Sequence, residues 1–381
     1  MISDSKKAEP DIFSEQRQMP AQREIYFDCL RLMAAFAVIA LHVAAQNWYK
    51  VEAGTFAWNV FHIYDSFVRW SIPVFVMISG ALFIGGPSKK LERIFRKNIC
   101  RIVTAFIFWS AVYALWNLLL GKSGWKNALR EFVEGPAHLW FLFMIVGLYL
   151  IVPFLRKIAE NDKLIEYFVL LSLLFTFVLP YFVMVISLYS GKAGTIAGGL
   201  FHNMNFEFAT GYVSYFVFGY YFSRADISRN RRIIIYLSGI AGMAVTIFAA
   251  RIFPVSEETA SPMFHDCMIL NVMLTGVALF LLAKNSGRIR NVSGRTKDRL
   301  RKLSEYSFGA YLVHILVIKM LDHNPLFQLN TMRFQLHIGN FEGIPLNPLL
   351  SVPAIALIAF VISIAISGLL HRIPILKKYV V

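Results

Sequence analysis

The feature that most constrains this chain is a series of apolar windows about as long as a bilayer core is thick. Crossing that core as an α-helix takes roughly 20 residues, whereas a barrel strand needs only about 9–11. Ten windows meet or approach the helical length: residues 27–46, 66–86, 99–120, 138–155, 165–189, 206–223, 232–253, 264–283, 304–321 and 349–370. Lipid offers no hydrogen bonds, so a spanning segment must satisfy its own backbone, and a helix does so. The expected fold class is therefore all-α integral membrane, with about ten transmembrane helices. The windows at 138–155, 206–223 and 304–321 are the short ones.

Composition agrees and excludes other classes. Hydrophobic residues make up 57% and charged residues 16%, against roughly 25% charged in a soluble domain. That rules out a disordered chain, a collagen-like fibre, a disulfide-stapled module and an ordinary soluble enzyme. Cys29, Cys100 and Cys267 form no CxxC pair, so neither zinc nor redox chemistry is supported and no metal is expected. The net charge of +15 would suggest nucleic acid in a soluble protein. Here the loops explain it. With the N-terminus placed in the cytoplasm, the inner segments carry 28 Lys/Arg and the outer connections 9. The positive-inside rule then puts both termini in the cytoplasm and favours an even helix count. The bilayer is the expected partner and nucleic acid is not. Residues 1–24, polar and holding Pro10 and Pro20, read as a flexible cytoplasmic tail. They carry no signal-peptide pattern. Residues 25–372 form the membrane domain and 373–381 a cytoplasmic C-terminal tail. Two outer connections, 47–65 and 322–348, are long and rich in aromatics, Asn and Pro. They read either as functional loops or as amphipathic segments at the interface.

Ionisable groups within a span are costly and mark function by default. The first window holds Asp28, Arg31 and His42. Eleven residues separate Arg31 from His42, about 20° past three full helical turns, so the two share a face about 16 Å apart. Asp28 and Arg31, at i and i+3, can pair. Snorkelling to the headgroups would account for Arg31, but His42 lies too deep for that. Arg93 and Arg96, in a basic run after the second window, are also three apart. A guanidinium pair there suits a phosphate-bearing ligand, or simply anionic lipid. His138 and Trp140 open the fourth window, and Tyr311 and His314 lie in the ninth. A lone intramembrane histidine is more often a helix–helix hydrogen bond than a reactive group. The GxxxxGK[ST], HExxH and GxSxG patterns are absent.

Taken together these pieces resemble the acyltransferase 3 family of bacterial integral-membrane acyltransferases. The resemblance rests on Arg31-x10-His42 preceded by Asp28, on Pro73-Val-Phe-Val-Met-Ile-Ser79-Gly80, on Arg93-x-x-Arg96, on His138-Leu-Trp140-Phe141 and on Tyr311-x-x-His314. It runs over roughly residues 24–370 and is carried by order and spacing rather than by any one motif. The chain looks closest to the short members without an added soluble domain. The resemblance implies ten core helices in the bacterial cytoplasmic membrane. It implies transfer of an acyl group, usually acetyl, from acetyl-CoA to a hydroxyl of a cell-surface polysaccharide or its lipid-linked precursor. It makes His42 the candidate general base, with Arg31 and Asp28 in support, and Arg93 and Arg96 the grip on CoA phosphates. His138, Trp140, Tyr311 and His314 are further candidates. The rival reading is a transporter or flippase for a lipid-linked glycan or small solute, which would need no CoA.

Overall fold

The computed structural model describes residues 24–85, 91–121, 124–204, 206–252, 263–337 and 343–381. The expected tail at 1–24 lies, but for Glu24, outside these residues, as do Lys89 and Lys90 of the basic run. The chain is a helical bundle: α1 Ile25–Trp48, α2 Phe56–Val68, α3 Ser71–Ile84, α4 Cys100–Leu119, α5 Trp125–Glu134, α6 Trp140–Ala159, α7 Asp162–Ser172, α8 Leu179–Tyr189, α9 Tyr212–Arg224, α10 Arg229–Ile252, α11 Leu270–Asn285, α12 Gly294–Asp322, α13 Pro348–Leu370 and α14 Pro374–Tyr379.

Among the described residues, seven helical stretches are long and apolar enough to cross a membrane: Ile25–Trp48, Phe56–Ile84, Ile94–Leu119, Trp125–Ala159, Asp162–Tyr189, Arg229–Ala249 and Pro348–Leu370. The other three expected spans are helices of a different kind. α9 has 13 residues and α11 has 16. α12 has 29, but its first turns carry a run of charges. All three lie largely in the interior: Tyr215, Phe216 and Phe280 are fully buried, as are Ala310 and Leu312. A helix surrounded by protein can be shorter or more polar than one that must satisfy lipid.

α1 sits at the centre, packed on α2, α3, α12 and α13. The most extensive helix–helix packing is between α3 and α9. A Cβ added at Gly80 would lie 1.7 Å from the Phe216 carbonyl oxygen, and one at Gly219 would lie 1.8 Å from that of Met77. Each glycine thus admits the other helix's backbone, the close approach that small residues permit between membrane helices. Helix ends are closed by cations. Arg156 Nε donates to the Phe83 carbonyl (2.9 Å) and Arg224 to that of Gly85 (3.2 Å), where α3 ends. Lys284 Nζ donates to the Phe222 and Ala225 carbonyls (2.9 and 2.8 Å) at the end of α9. Part of the basic excess therefore serves as helix C-caps.

The described residues of the two long connections hold regular structure. The first of them, 47–65, leads into α2, which starts at Phe56 and is capped by Thr55, whose side chain accepts from Trp58 N. Within 322–348 it forms a small antiparallel sheet, β1 Phe327–Leu329, β2 Arg333–Leu336 and β3 Ile344–Pro345, in that order, with Phe327 opposite Leu336 and Arg333 opposite Pro345. Asn47 Nδ2 at the end of α1 donates to Thr331 Oγ1 (2.9 Å), which ties this sheet to the central helix.

Candidate functional site

The shared face expected for Arg31 and His42 is present. Both line one cavity of about 480 Å3. Asp28 does not; it is fully buried beneath the cavity wall, 4.0 Å from Arg31 Nη1. Arg31 also donates to Ser304 Oγ (3.3 Å), and Ser304 and Glu305 line the same cavity from α12.

Three histidines from three elements cluster here: His42 and His138 line the cavity, and fully buried His314 packs beside them. Gly135 ends α5 at φ 70°, the left-handed region open to glycine. Pro136 then leads into a single 3₁₀ turn, Ala137–Leu139, that points His138 inward. His314 comes from the middle of α12. The ring centroids are 5.1 Å apart for His42 and His314, 5.2 Å for His138 and His314, and 6.5 Å for His42 and His138. Sequence alone had placed each on its own helix with no means of joining them.

Tyrosines hold the cluster in place. The Tyr311 hydroxyl donates to the His138 carbonyl. Tyr113 donates to the Leu312 carbonyl (3.0 Å) and accepts from Leu316 N (3.1 Å). Leu312 and Leu316 are an i, i+4 pair, so this hydroxyl is inserted in the backbone ladder of α12 beside His314. His314 Nδ1 donates to the Tyr311 carbonyl. In the neutral ring that leaves Nε2 as an acceptor. Neither His314 Nε2 nor His138 Nε2 has a hydrogen-bond partner among the described residues, although both atoms are buried. His42 is partly accessible because it faces open space rather than packed side chains.

That space continues past the histidines. A second cavity of about 320 Å3 is lined by His42, His138, Tyr113, Asn117, Glu131, Gly135 and Lys319, among others. The two linings share His42 and His138. Along α12 the first cavity meets Ser304 to Tyr311 and the second meets Ile315 and Lys319. Along α4 the first meets Arg101 and Ile102, and the second Tyr113 to Asn117. The pair therefore runs end to end over about 22–24 Å of helix, with the imidazoles between.

The mouth of the larger cavity carries Asn98, Arg101, His371 and Lys377. Arg101 donates to the Val381 backbone oxygen and lies 5.5 Å from the Phe308 ring centre. Arg93 and Arg96 are absent from the lining. Both are exposed, and Arg96 pairs with Glu92 at 3.3 Å. The reason is local: Ile94–Ile99 is a π turn. Its i→i+5 bonding shifts the helix phase that follows, so Asn98 and Arg101 face inward. Trp140 lines the cavity with its ring 5.5 Å from that of Tyr212.

A second buried cluster went unread in the sequence. Arg69 Nε donates to Asp65 Oδ2 (2.7 Å), and Asp65 is fully buried. His265 approaches the same carboxylate with Nδ1 at 3.3 Å, and its Nε2 lies 3.0 Å from Ser66 Oγ. The His62 ring stacks on Trp58 at 5.2 Å and on His265 at 5.1 Å. The i, i+4 spacing of Asp65 and Arg69 was the one sequence signal available for this cluster.

The chain matches the acyltransferase domain model of the acyltransferase 3 family over residues 24–371, nearly its whole length. No curated protein and no solved structure matches it.

Proposed function

We propose a mechanism for a chain that belongs to the acyltransferase 3 family of membrane acyltransferases. The donor is an acyl-CoA, acetyl-CoA in the simplest case. It enters the larger cavity from the end that carries Arg31 and Arg101, the cytoplasmic end by the positive-inside rule of a bacterial inner-membrane protein. The acceptor is a hydroxyl of a glycan or glycolipid, entering from the smaller cavity. The observation that carries this reading is that His42 and His138 belong to both cavities.

The chemistry follows from what lies there. A sugar hydroxyl is a weak nucleophile at neutral pH and needs a base in hydrogen-bond reach. His42 takes its proton while the hydroxyl oxygen attacks the thioester carbonyl. The C–O bond forms, the C–S bond breaks, and CoA leaves as the thiolate, which recovers a proton. His138 and His314 present buried acceptor nitrogens beside His42. They orient the hydroxyl or the His42 N–H. Arg101 and Lys377 grip the donor's phosphates at the mouth, with exposed Arg93 and Arg96 drawing the anion in from solution. Arg31, held by Asp28 and Ser304, lines the path between.

The test is transfer of label from acetyl-CoA to membrane glycolipid by wild type and His42→Ala. Wild type labels the glycolipid, and His42→Ala loses at least a hundredfold in rate while inserting normally. A His42→Ala enzyme at wild-type rate refutes the base assignment. Glycan export without any CoA requirement refutes the enzyme.

A further inference from the structure

The smaller cavity differs in chemistry from the larger one. Its far wall joins α4 to α5 through one bond, Asn117 Nδ2 to Glu131 Oε2 at 2.8 Å. That bond uses one amide N–H and one carboxylate oxygen. The other amide N–H, the amide oxygen and the second carboxylate oxygen remain able to meet hydroxyl groups. The Tyr113 ring forms an adjoining face, with Lys319 Nζ 5.9 Å from its centre. At the near end His138 presents an Nε2 that is buried and without a hydrogen-bond partner among the described residues. A volume of about 320 Å3 is at the small end of ligand sites, enough for one sugar ring with the rest of a glycan outside.

The helix that carries Glu131 is itself informative. Along α5, Trp125, Leu129 and Val133 fall at i, i+4 and i+8 and are 69%, 57% and 65% exposed. Lys126, Arg130 and Glu134 follow it on one side, and Glu131 stands with Asn127 on the far side from the stripe. Such a helix lies in the plane of the interface with its apolar stripe toward lipid. Glu131 thus stands at the headgroup level, where the sugar of a glycan at the membrane surface would be presented.

We propose that Asn117 and Glu131 form the acceptor subsite, which binds one hexopyranose through its hydroxyls and sets its reactive oxygen toward His42 and His138. This rests on the acyl-transfer reading above. A carboxylate–amide pair offers both donors and acceptors to neighbouring hydroxyls, and an aromatic face packs on the ring's C–H surface. A site built to bond hydroxyls discriminates strongly against a sugar that lacks one.

The experiment uses the full chain in nanodiscs and methyl glycosides of glucose, galactose, mannose and N-acetylglucosamine as probes. Binding is read by saturation-transfer NMR. At least one glycoside binds wild type. Glu131→Gln and Asn117→Leu each weaken it about tenfold or more, while their acetyl-CoA binding stays within twofold of wild type. Arg101→Ala shows the reverse pattern. Equal glycoside binding by wild type and both variants, or no binding to wild type by any of the four, overturns the proposal. Failure of the acyl-transfer reading has its own signature, a wild-type protein that releases no CoA from acetyl-CoA under any condition.

Discussion

The contact of Gly80 with α9 offers a stringent test of the packing that supports the site. An alanine at Gly80 would place its Cβ 1.7 Å from the Phe216 carbonyl oxygen, where real contacts keep at least 3.0 Å. The obstruction is backbone, so no rotamer change relieves it, and α3 and α9 must part by about 1.3 Å or more. Overpacking of this kind costs about 1–3 kcal/mol, and a rigid obstacle puts it at the upper end. For a chain of 381 residues that is a fall of roughly 3–4 °C in Tm. The movement also reaches catalysis, because Ile72, Phe75 and Ser79 of α3 line the larger cavity, and shifts of about 1 Å in a positioned site lower rates about a hundredfold. The assay is thermal unfolding of purified protein in detergent, alongside CoA release. Gly147→Ala is the control: it is also within a helix, but its added Cβ has nothing within 4 Å. It leaves Tm unchanged or raises it slightly, since alanine is the better helix former by up to about 1 kcal/mol. The double variant Gly80→Ala/Gly219→Ala costs less than the sum of the two, because one separation relieves both clashes. A Gly80→Ala protein with wild-type Tm and activity would refute the reasoning.

Other consequences follow from the mouth of the larger cavity. Arg101→Ala raises the acetyl-CoA KM about tenfold or more, read from initial rates of CoA release. Arg93→Ala/Arg96→Ala instead reduces the rate of donor capture at low salt and flattens its salt dependence, leaving the saturated rate in place. His371 carries a pH signature. Burial, more than any neighbour, holds its imidazole below the ordinary 6.5; Arg101 and Lys377 add to this, while the Ser367 carbonyl and Glu305 oppose it. Its stabilising contribution is therefore complete above about pH 6.5 and is lost as the pH falls through the depressed value. Tm measured from pH 8 to pH 5 falls less steeply for His371→Gln than for wild type; parallel curves refute the assignment.

The reach of sequence reasoning can be judged residue by residue. Arg31 and His42 share a cavity because a straight helix keeps its period, and the period needs no tertiary information. Arg93 and Arg96 lie outside the cavity lining, where Asn98 and Arg101 stand instead, and the π turn at Ile94–Ile99 that sets this phase has no signal in the residue spacing. α2 was not distinguished from a connection because His62, Asp65 and Asn59 break up its apolar face, and those polar groups are absorbed by partners such as His265 and the Ile247 carbonyl. α9 and α11 are shorter than a bilayer-spanning helix because protein, not lipid, surrounds them.

What the sequence determined by itself was the helical membrane class and the polar stripe on α1. Each depends on hydrophobicity and period along one segment, and these are local properties. What only the tertiary structure decided was that His42, His138 and His314 form one cluster, that two cavities share His42 and His138, and that Asn117 bonds Glu131 in the wall of the second. Those relations join residues as many as 272 positions apart. They exist because close packing of α1, α4, α6 and α12 leaves room along one line and closes it elsewhere, and packing belongs to the assembled bundle rather than to any helix in it.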